Sequence, residues 1–333
     1  MELDGAQVGV HASIGIAHHS DADDAPGALL CNADLAMYAA KRNGKGGYQH
    51  FAPAMRIAVA ERADLDAALR QAVDTRQLYL HYQPIVTLTN HDIVGFEALL
   101  RWTHPERGPL SPERFVPVLE ESGLIVPVGN WILRTACAQA AAWQADTGQP
   151  LSMSVNVSPR QLQQSDFVDQ VAEALLATSL PPSSLILEVT EGVVIVKPDQ
   201  AIRTLLELKA LGVRLAVDDF GTGYSSLRYL QTLPVDSVKI DRSFIAKIQD
   251  GPDEAALARA IVNVGHALHL TVIAEGIETS QQAELLHAIG CHYGQGYYFA
   301  RPQDPADIEV SLIPRDPRMS DPDDQLPSLA CSG

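Results

Sequence analysis

The chain has 333 residues, of which 46% are hydrophobic, and a formal net charge of -17. That length suits one large domain with a smaller companion, and the acidic surplus excludes a bulk electrostatic grip on DNA, RNA or anionic lipid, so any phosphate-bearing ligand must be held by local cations. Cys31, Cys137, Cys291 and Cys331 show no Cys-x-x-Cys spacing, which speaks against a zinc cluster or disulfide framework and for a reducing cytoplasm.

In chain order, Val8 to His18 alternates like a strand, Pro26 to Arg42 has a helical pattern ended by Gly44, Gly46 and Gly47, and Tyr48 to Phe51 is a short strand. Ala12-Ser13-Ile14-Gly15-Ile16-Ala17, Ala33-Asp34-Leu35-Ala36-Met37-Tyr38-Ala39-Ala40-Lys41 and Gly44-Lys45 resemble the C-terminal end of a GGDEF (diguanylate cyclase) domain. The signature that carries that family's metal and GTP site is missing, so the resemblance implies a remnant over residues 1–53 without cyclase activity. A helix over Arg56 to Thr75 then leads into the main domain.

From there strands and helices alternate. The strands are expected at Leu78 to Val86, Ile93 to Trp102, Leu151 to Ser158, Leu185 to Thr190, Arg214 to Asp219, Ser237 to Asp241, Thr271 to Glu275 and Tyr293 to Phe299. Helical patterns fall at Ser111 to Ser122, Val128 to Gln144, Pro159 to Ala177, Pro198 to Leu211, Tyr224 to Leu230, Asp253 to Leu268 and Ser280 to Ile289. About eight strands over roughly 240 residues is the rhythm of a (β/α)8 barrel. The first two strands are joined by a turn-like link, so the barrel is expected to be a variant with an antiparallel first strand. No apolar run reaches the roughly 20 residues of a membrane span, because Leu124 to Leu133 is interrupted by Pro127 and Gly129. The Asp-, Pro- and Ser-rich segment 303–333 is expected to be a disordered tail.

In such a barrel the site forms where strands end. Charged or amide side chains stand there on six of them: Glu97, Asn156, Glu188, the pair Asp218 and Asp219, Lys239 and Glu275. Each singly has a bland explanation as a salt-bridge partner, a turn former or a surface lysine. Together they are costly to bury without cations among them, and all-oxygen ligands suit Mg²⁺ or Mn²⁺. Because side chains alternate along a strand, Asp218 and Asp219 are expected to diverge and serve two neighbouring ions. The residues alone leave open an enolase-like barrel with Lys239 as base, or an interaction module.

Glu97-Ala98-Leu99-Leu100-Arg101, Asn156, Glu188-Val189-Thr190-Glu191, Asp218-Asp219-Phe220-Gly221-Thr222-Gly223-Tyr224-Ser225-Ser226, Lys239-Ile240-Asp241, Glu275 and Gln295-Gly296-Tyr297 together resemble the EAL-domain family of cyclic di-GMP phosphodiesterases. The resemblance assigns residues 54–302 to that barrel. It implies hydrolysis of cyclic di-GMP to linear 5'-pGpG with two Mg²⁺ or Mn²⁺ ions per site, or, as the alternative, a non-catalytic receptor for the same dinucleotide. One ion would be held by Glu97, Asn156, Glu188 and Asp218, the second by Asp219 beside Asp218, with Glu275 ligating or orienting. Lys239 would position the attacking water, and Gln83, Leu99, Arg101 and Gln295 would face the substrate. Glu191, Gly221, Thr222, Gly223, Tyr224, Ser225 and Glu278 resemble the family's loop-ordering group, tied to a homodimer. The cysteine pattern gives a cytoplasmic location, with any membrane or sensor part expected outside this chain.

Overall fold

A computed structural model describes residues 2–3, 6–7, 12–18, 26–42, 46–190, 198–221 and 230–312. The chain divides into two compact units, one of residues 1–77 and 103–122, the other of residues 78–102 and 123–333.

In the first unit, strands Ile14–Ile16 and Tyr48–His50 pair in parallel, with Ile14 opposite Tyr48 and Ile16 opposite His50. Helix Pro26–Arg42 packs on both. Gly15 permits that approach, since a Cβ there would lie 1.9 Å from the Ala33 carbonyl oxygen. Helix Pro53–Asp74 begins on a proline, whose missing N–H is no loss in a first turn, and buries Leu65, Leu69 and Ala72. The strand expected over Val8 to His18 is shorter among the described residues, covering only Ile14–Ile16.

The second unit is a closed barrel of β1 (Leu78–Thr87), β2 (Ile93–His104), β3 (Ser152–Val157), β4 (Leu185–Thr190), β5 (Arg214–Phe220), β6 (Ser237–Ile240), β7 (Thr271–Ala274) and β8 (Tyr293–Gly294). Neighbours run β1-β8-β7-β6-β5-β4-β3-β2, and β1 closes the ring on β2. Strands β2 to β8 are parallel, whereas β1 is antiparallel to both its neighbours, as the turn between it and β2 predicts. The seam is short: Tyr293 faces Thr87 and Gly294 faces Val86, and Tyr82 and Gln303 exchange backbone bonds of 2.8 and 2.9 Å just beyond.

Outward-facing side chains make the core with the surrounding helices. Trp143 of helix Ile125–Thr147 lies 5.0 Å from Tyr82 and 4.6 Å from Phe96, ring centre to ring centre, and all three are almost fully buried. Burying an aromatic of this size contributes about 1.5–3 kcal/mol. That contact clamps the helix to the β1–β2 hairpin, which has no helix of its own.

Three expectations need correcting. The helix expected over Pro159 to Ala177 is two, Pro159–Leu162 and Phe167–Thr178; Ser158 and Gln161 form a capping box on the first, and the polar run 163–166 offers no apolar face to carry it on. The last strand stops at Gly294, because Gln295 and Gly296 turn against Ile277, whose carbonyl oxygen would be 2.1 Å from a Cβ at Gly296. The tail begins as a helix, Pro305–Leu312, started by a proline and anchored by buried Ile308; residues 313–333 lie outside the described residues, as does the helix expected over Tyr224 to Leu230 except for Leu230 itself.

Candidate functional site at the C-terminal mouth of the barrel

Parallel register brings the polar strand ends to one level. Asn156 faces Glu188 across β3–β4, Asp218 faces Thr190 across β4–β5, and Lys239 lies opposite Ile273 across β6–β7. Glu275 and Gln295 follow directly on β7 and β8, their N–H groups donating to Ile240 O (3.1 Å) and Ala274 O (2.8 Å).

Lys239 stands at the centre with no solvent exposure, 0%. Its Nζ lies 2.6 Å from Glu188 Oε2, 2.6 Å from Glu275 Oε1, 3.1 Å from Glu97 Oε2 and 3.6 Å from Asp218 Oδ1. Burial pulls its pKa down, but the four carboxylates outweigh it and hold the ammonium well above the ordinary lysine value.

One ammonium cannot satisfy four carboxylates. Glu188 is pushed well above its usual value by burial and by Glu97, Asp218 and Glu275, despite Lys239. For Glu275, burial with Asp218 and Glu97 raises the pKa to about 8. Burial with Asp218 and Asp241 raises Asp219 to about 6. Only Glu97 goes the other way: burial disfavours its charge, but Lys239, Gln295 and Asn156 overcome that and lower it. Asn156 Nδ2 donates to Glu97 Oε1 at 2.7 Å.

Asp218 and Asp219 do not diverge as alternation predicts. The β5–β6 register slips between Val217 and Phe220, and Asp219 adopts a left-handed φ of 54°. This bulge turns the second carboxylate back to the side of the first. One oxygen each of Asp218, Asp219 and Glu275 lie within 4.8 Å of one another.

These residues fit a hard divalent cation. The ligand atoms are oxygens, their negative charge exceeds that of the single lysine, and Glu188 Oε1 is buried without a hydrogen-bond partner. A second positive charge at the mouth would offset the burial and like-charge repulsion that raise these carboxylates.

A cavity of about 250 Å³ opens beside the cluster, its walls including Leu99, Arg242, Glu275, Glu278 and Tyr297. Gln83 and Gln295 line it too, but are buried and bonded to each other. Arg101 is half-buried, with Nη1 donating to Leu100 O at 2.9 Å. Gly221 has φ 100° and a Cβ there would meet the Phe244 ring at 2.9 Å, so only glycine fits. Glu278 is exposed at the cavity edge, its N–H donating to Gln282 Oε1 at 2.7 Å. Glu191, Thr222, Gly223, Tyr224 and Ser225 lie outside the described residues.

Three residues without a sequence-based role stand here. Asp241 bonds Asp219 while capping helix Arg242–Ala246 through Ser243 N–H at 2.9 Å. Arg242 adds a cation to the cavity wall, and Tyr297 carries the Arg301 guanidinium 4.4 Å from its ring centre. Asp241 and Tyr297 stood within the motifs Lys239-Ile240-Asp241 and Gln295-Gly296-Tyr297 without a role of their own; Arg242 gave no signal.

Fold and site define the class: a (β/α)8-type barrel that gathers carboxylates around a buried lysine at the ends of its strands. The chain belongs to the EAL domain family, whose sequence profile matches residues 66–302. It is 44% identical over 306 residues to the bifunctional diguanylate cyclase/cyclic di-GMP phosphodiesterase MucR of Pseudomonas aeruginosa, covering 92% of this chain and 45% of that protein. With the cyclic di-GMP phosphodiesterase NbdA of the same organism it shares 39% over 310 residues, covering 93% of this chain and 40% of that protein. The chain therefore spans less than half the length of either relative. Among solved structures, the PaMucR phosphodiesterase in complex with c-di-GMP matches with TM-score 0.71 and 45% identity over 74% of this chain and 99% of that one. Among the described residues no helix is long and apolar enough to cross a membrane.

Proposed function

We propose that the chain is a divalent-metal-dependent phosphodiesterase that hydrolyses cyclic di-GMP to linear 5'-pGpG. The observation that carries this reading is the convergence of Glu97, Asn156, Glu188, Asp218, Asp219 and Glu275 around Lys239 beside an open cavity, in a chain similar to two proteins named as cyclic di-GMP phosphodiesterases.

Glu97, Asn156, Glu188 and Asp218 would hold one ion, and Asp219 with Asp218 a second, with Glu275 ligating or orienting beside them. Bound Mg²⁺ or Mn²⁺ supplies positive charge for the phosphodiester and lowers the pKa of water at the site. Lys239 would add a fixed positive charge beside the attacking water and hold the carboxylates around it in place. Arg101 and Arg242 offer guanidinium groups to the phosphates of an anionic dinucleotide, reconciling an acidic protein with an anionic substrate. Gln83, Leu99 and Gln295 would form the wall against which it lies. Water adds to phosphorus, the P–O3' bond breaks, and the ribose oxygen leaves as a hydroxyl, so the phosphate stays on the 5' side.

We extend the reading to residues 1–53 as the C-terminal part of a GGDEF domain, the resembling stretches forming a strand and a helix that pack together, and to a cytoplasmic homodimer on family resemblance. The test is incubation of purified protein with cyclic di-GMP and Mn²⁺, followed by chromatography. 5'-pGpG is expected, and Glu97→Ala removes it. Tight binding by the unmodified protein with no product would replace the reading with that of a receptor.

A further inference from the structure

Gln295 is held more firmly than a residue of a cavity wall needs to be. Its N–H donates to Ala274 O at 2.8 Å and its carbonyl accepts from Ile277 N–H at 3.1 Å. The side chain is 4% exposed. Its NH₂ group donates twice, to Glu97 Oε2 and to Gln83 Oε1, each at 2.8 Å. Gln83 directs its own NH₂ to Ala300 O at 3.0 Å. The amide orientation is thereby set, because reversing it would press the Gln295 oxygen against two other oxygens. That orientation leaves Gln295 Oε1 buried without a partner, so the two donated bonds have to outweigh an unmet acceptor.

Glu97 is thus oriented from three sides: Gln295 and Lys239 on Oε2, Asn156 on Oε1. Groups that orient a ligating carboxylate tune the affinity of the ion it holds.

We propose that Gln295 is a positioning residue for divalent-cation binding, fixing the Glu97 carboxylate through Nε2 and tying it to Gln83. The inference rests on the phosphodiesterase reading in taking the cation as the cofactor of this site. Because Gln83 shares the same amide, a ligand that draws Gln83 away alters cation affinity, and the cation alters that ligand's affinity by the same factor.

The test is titration of Mn²⁺ into the purified full chain without dinucleotide, reading free Mn²⁺ by electron paramagnetic resonance. Gln295→Met keeps the volume and removes both donors. It is expected to weaken Mn²⁺ binding about 10-fold, at the lower end of the effect of orienting partners, with an unchanged circular dichroism spectrum. Gln295→Asn withdraws the amide by one methylene; it is expected to show the same loss and serves if the Met variant fails to fold. Equal Mn²⁺ affinity in wild type and a folded variant overturns the proposal and leaves the phosphodiesterase reading standing. A wild-type chain that takes up no Mn²⁺ overturns both.

Discussion

Replacing Lys239 by Met keeps the length of the side chain and removes the ammonium shared by Glu188, Glu275, Glu97 and Asp218. Removing one partner of a buried ion pair costs about 3–5 kcal/mol, because the other charge stays behind. Here the cost should sit near the lower figure, since Glu188 and Glu275, both already raised, can take up protons instead of remaining charged. At about 2–4 °C per kcal/mol for a domain of this size, about 3 kcal/mol corresponds to a fall in Tm on the order of 10 °C. Calorimetry in EDTA at pH 8 and pH 5.5 measures it. The deficit should be largest at pH 8 and shrink at pH 5.5, where protonated acids no longer need the ammonium. An unchanged Tm at pH 8, or the same deficit at both pH values, would refute the idea that Lys239 is the counter-charge of this cluster.

Two further outcomes are expected. The folded-state pKa values of Glu275 and Asp219 are raised above their unfolded values, to about 8 and about 6, so the metal-free protein keeps their full contribution below the ordinary carboxylate range and loses it as pH rises through those values. Melting in EDTA from pH 5 to 8.5 should show a falling Tm, and saturating Mn²⁺ should reverse the trend because it binds the deprotonated ligands; a Tm that rises with pH in EDTA contradicts the assignment. Gly296→Ala would place a Cβ 2.1 Å from Ile277 O and 2.3 Å from Ile277 N. Such crowding costs about 1–3 kcal/mol, so both Tm and the rate of 5'-pGpG formation should fall, and unchanged values would mean that the turn after β8 yields freely.

The acids of the site were legible because charge interrupts apolar runs. Glu188 within Leu185–Val189 and Lys239 between Val238 and Ile240 have no place in a buried strand unless they answer one another, and the structure buries both. The antiparallel first strand was equally legible from a turn too short to hold a helix. Convergence of Asp218 and Asp219 was hidden, because strand periodicity places neighbours on opposite faces and says nothing of a bulge at Asp219. The amide bond from Gln295 to Glu97 was hidden too, since it joins residues brought together only by closure of the ring. Breaks in helices were missed where polar residues kept a tolerable helical propensity, as at 163–166, and the helix after Pro305 was masked by composition.

The β1–β8 seam has a bearing on how the protein is made. A chain emerging from the ribosome presents β1 first, while the backbone that completes it, from Tyr293 to Gln303, is among the last of the barrel to be synthesised. Through most of translation the ten-residue edge Leu78–Thr87 therefore stands unpaired on one side, the kind of exposed template on which nascent chains stick to one another. Final closure also joins segments far apart in sequence, which places it among the slow, entropically costly events of folding.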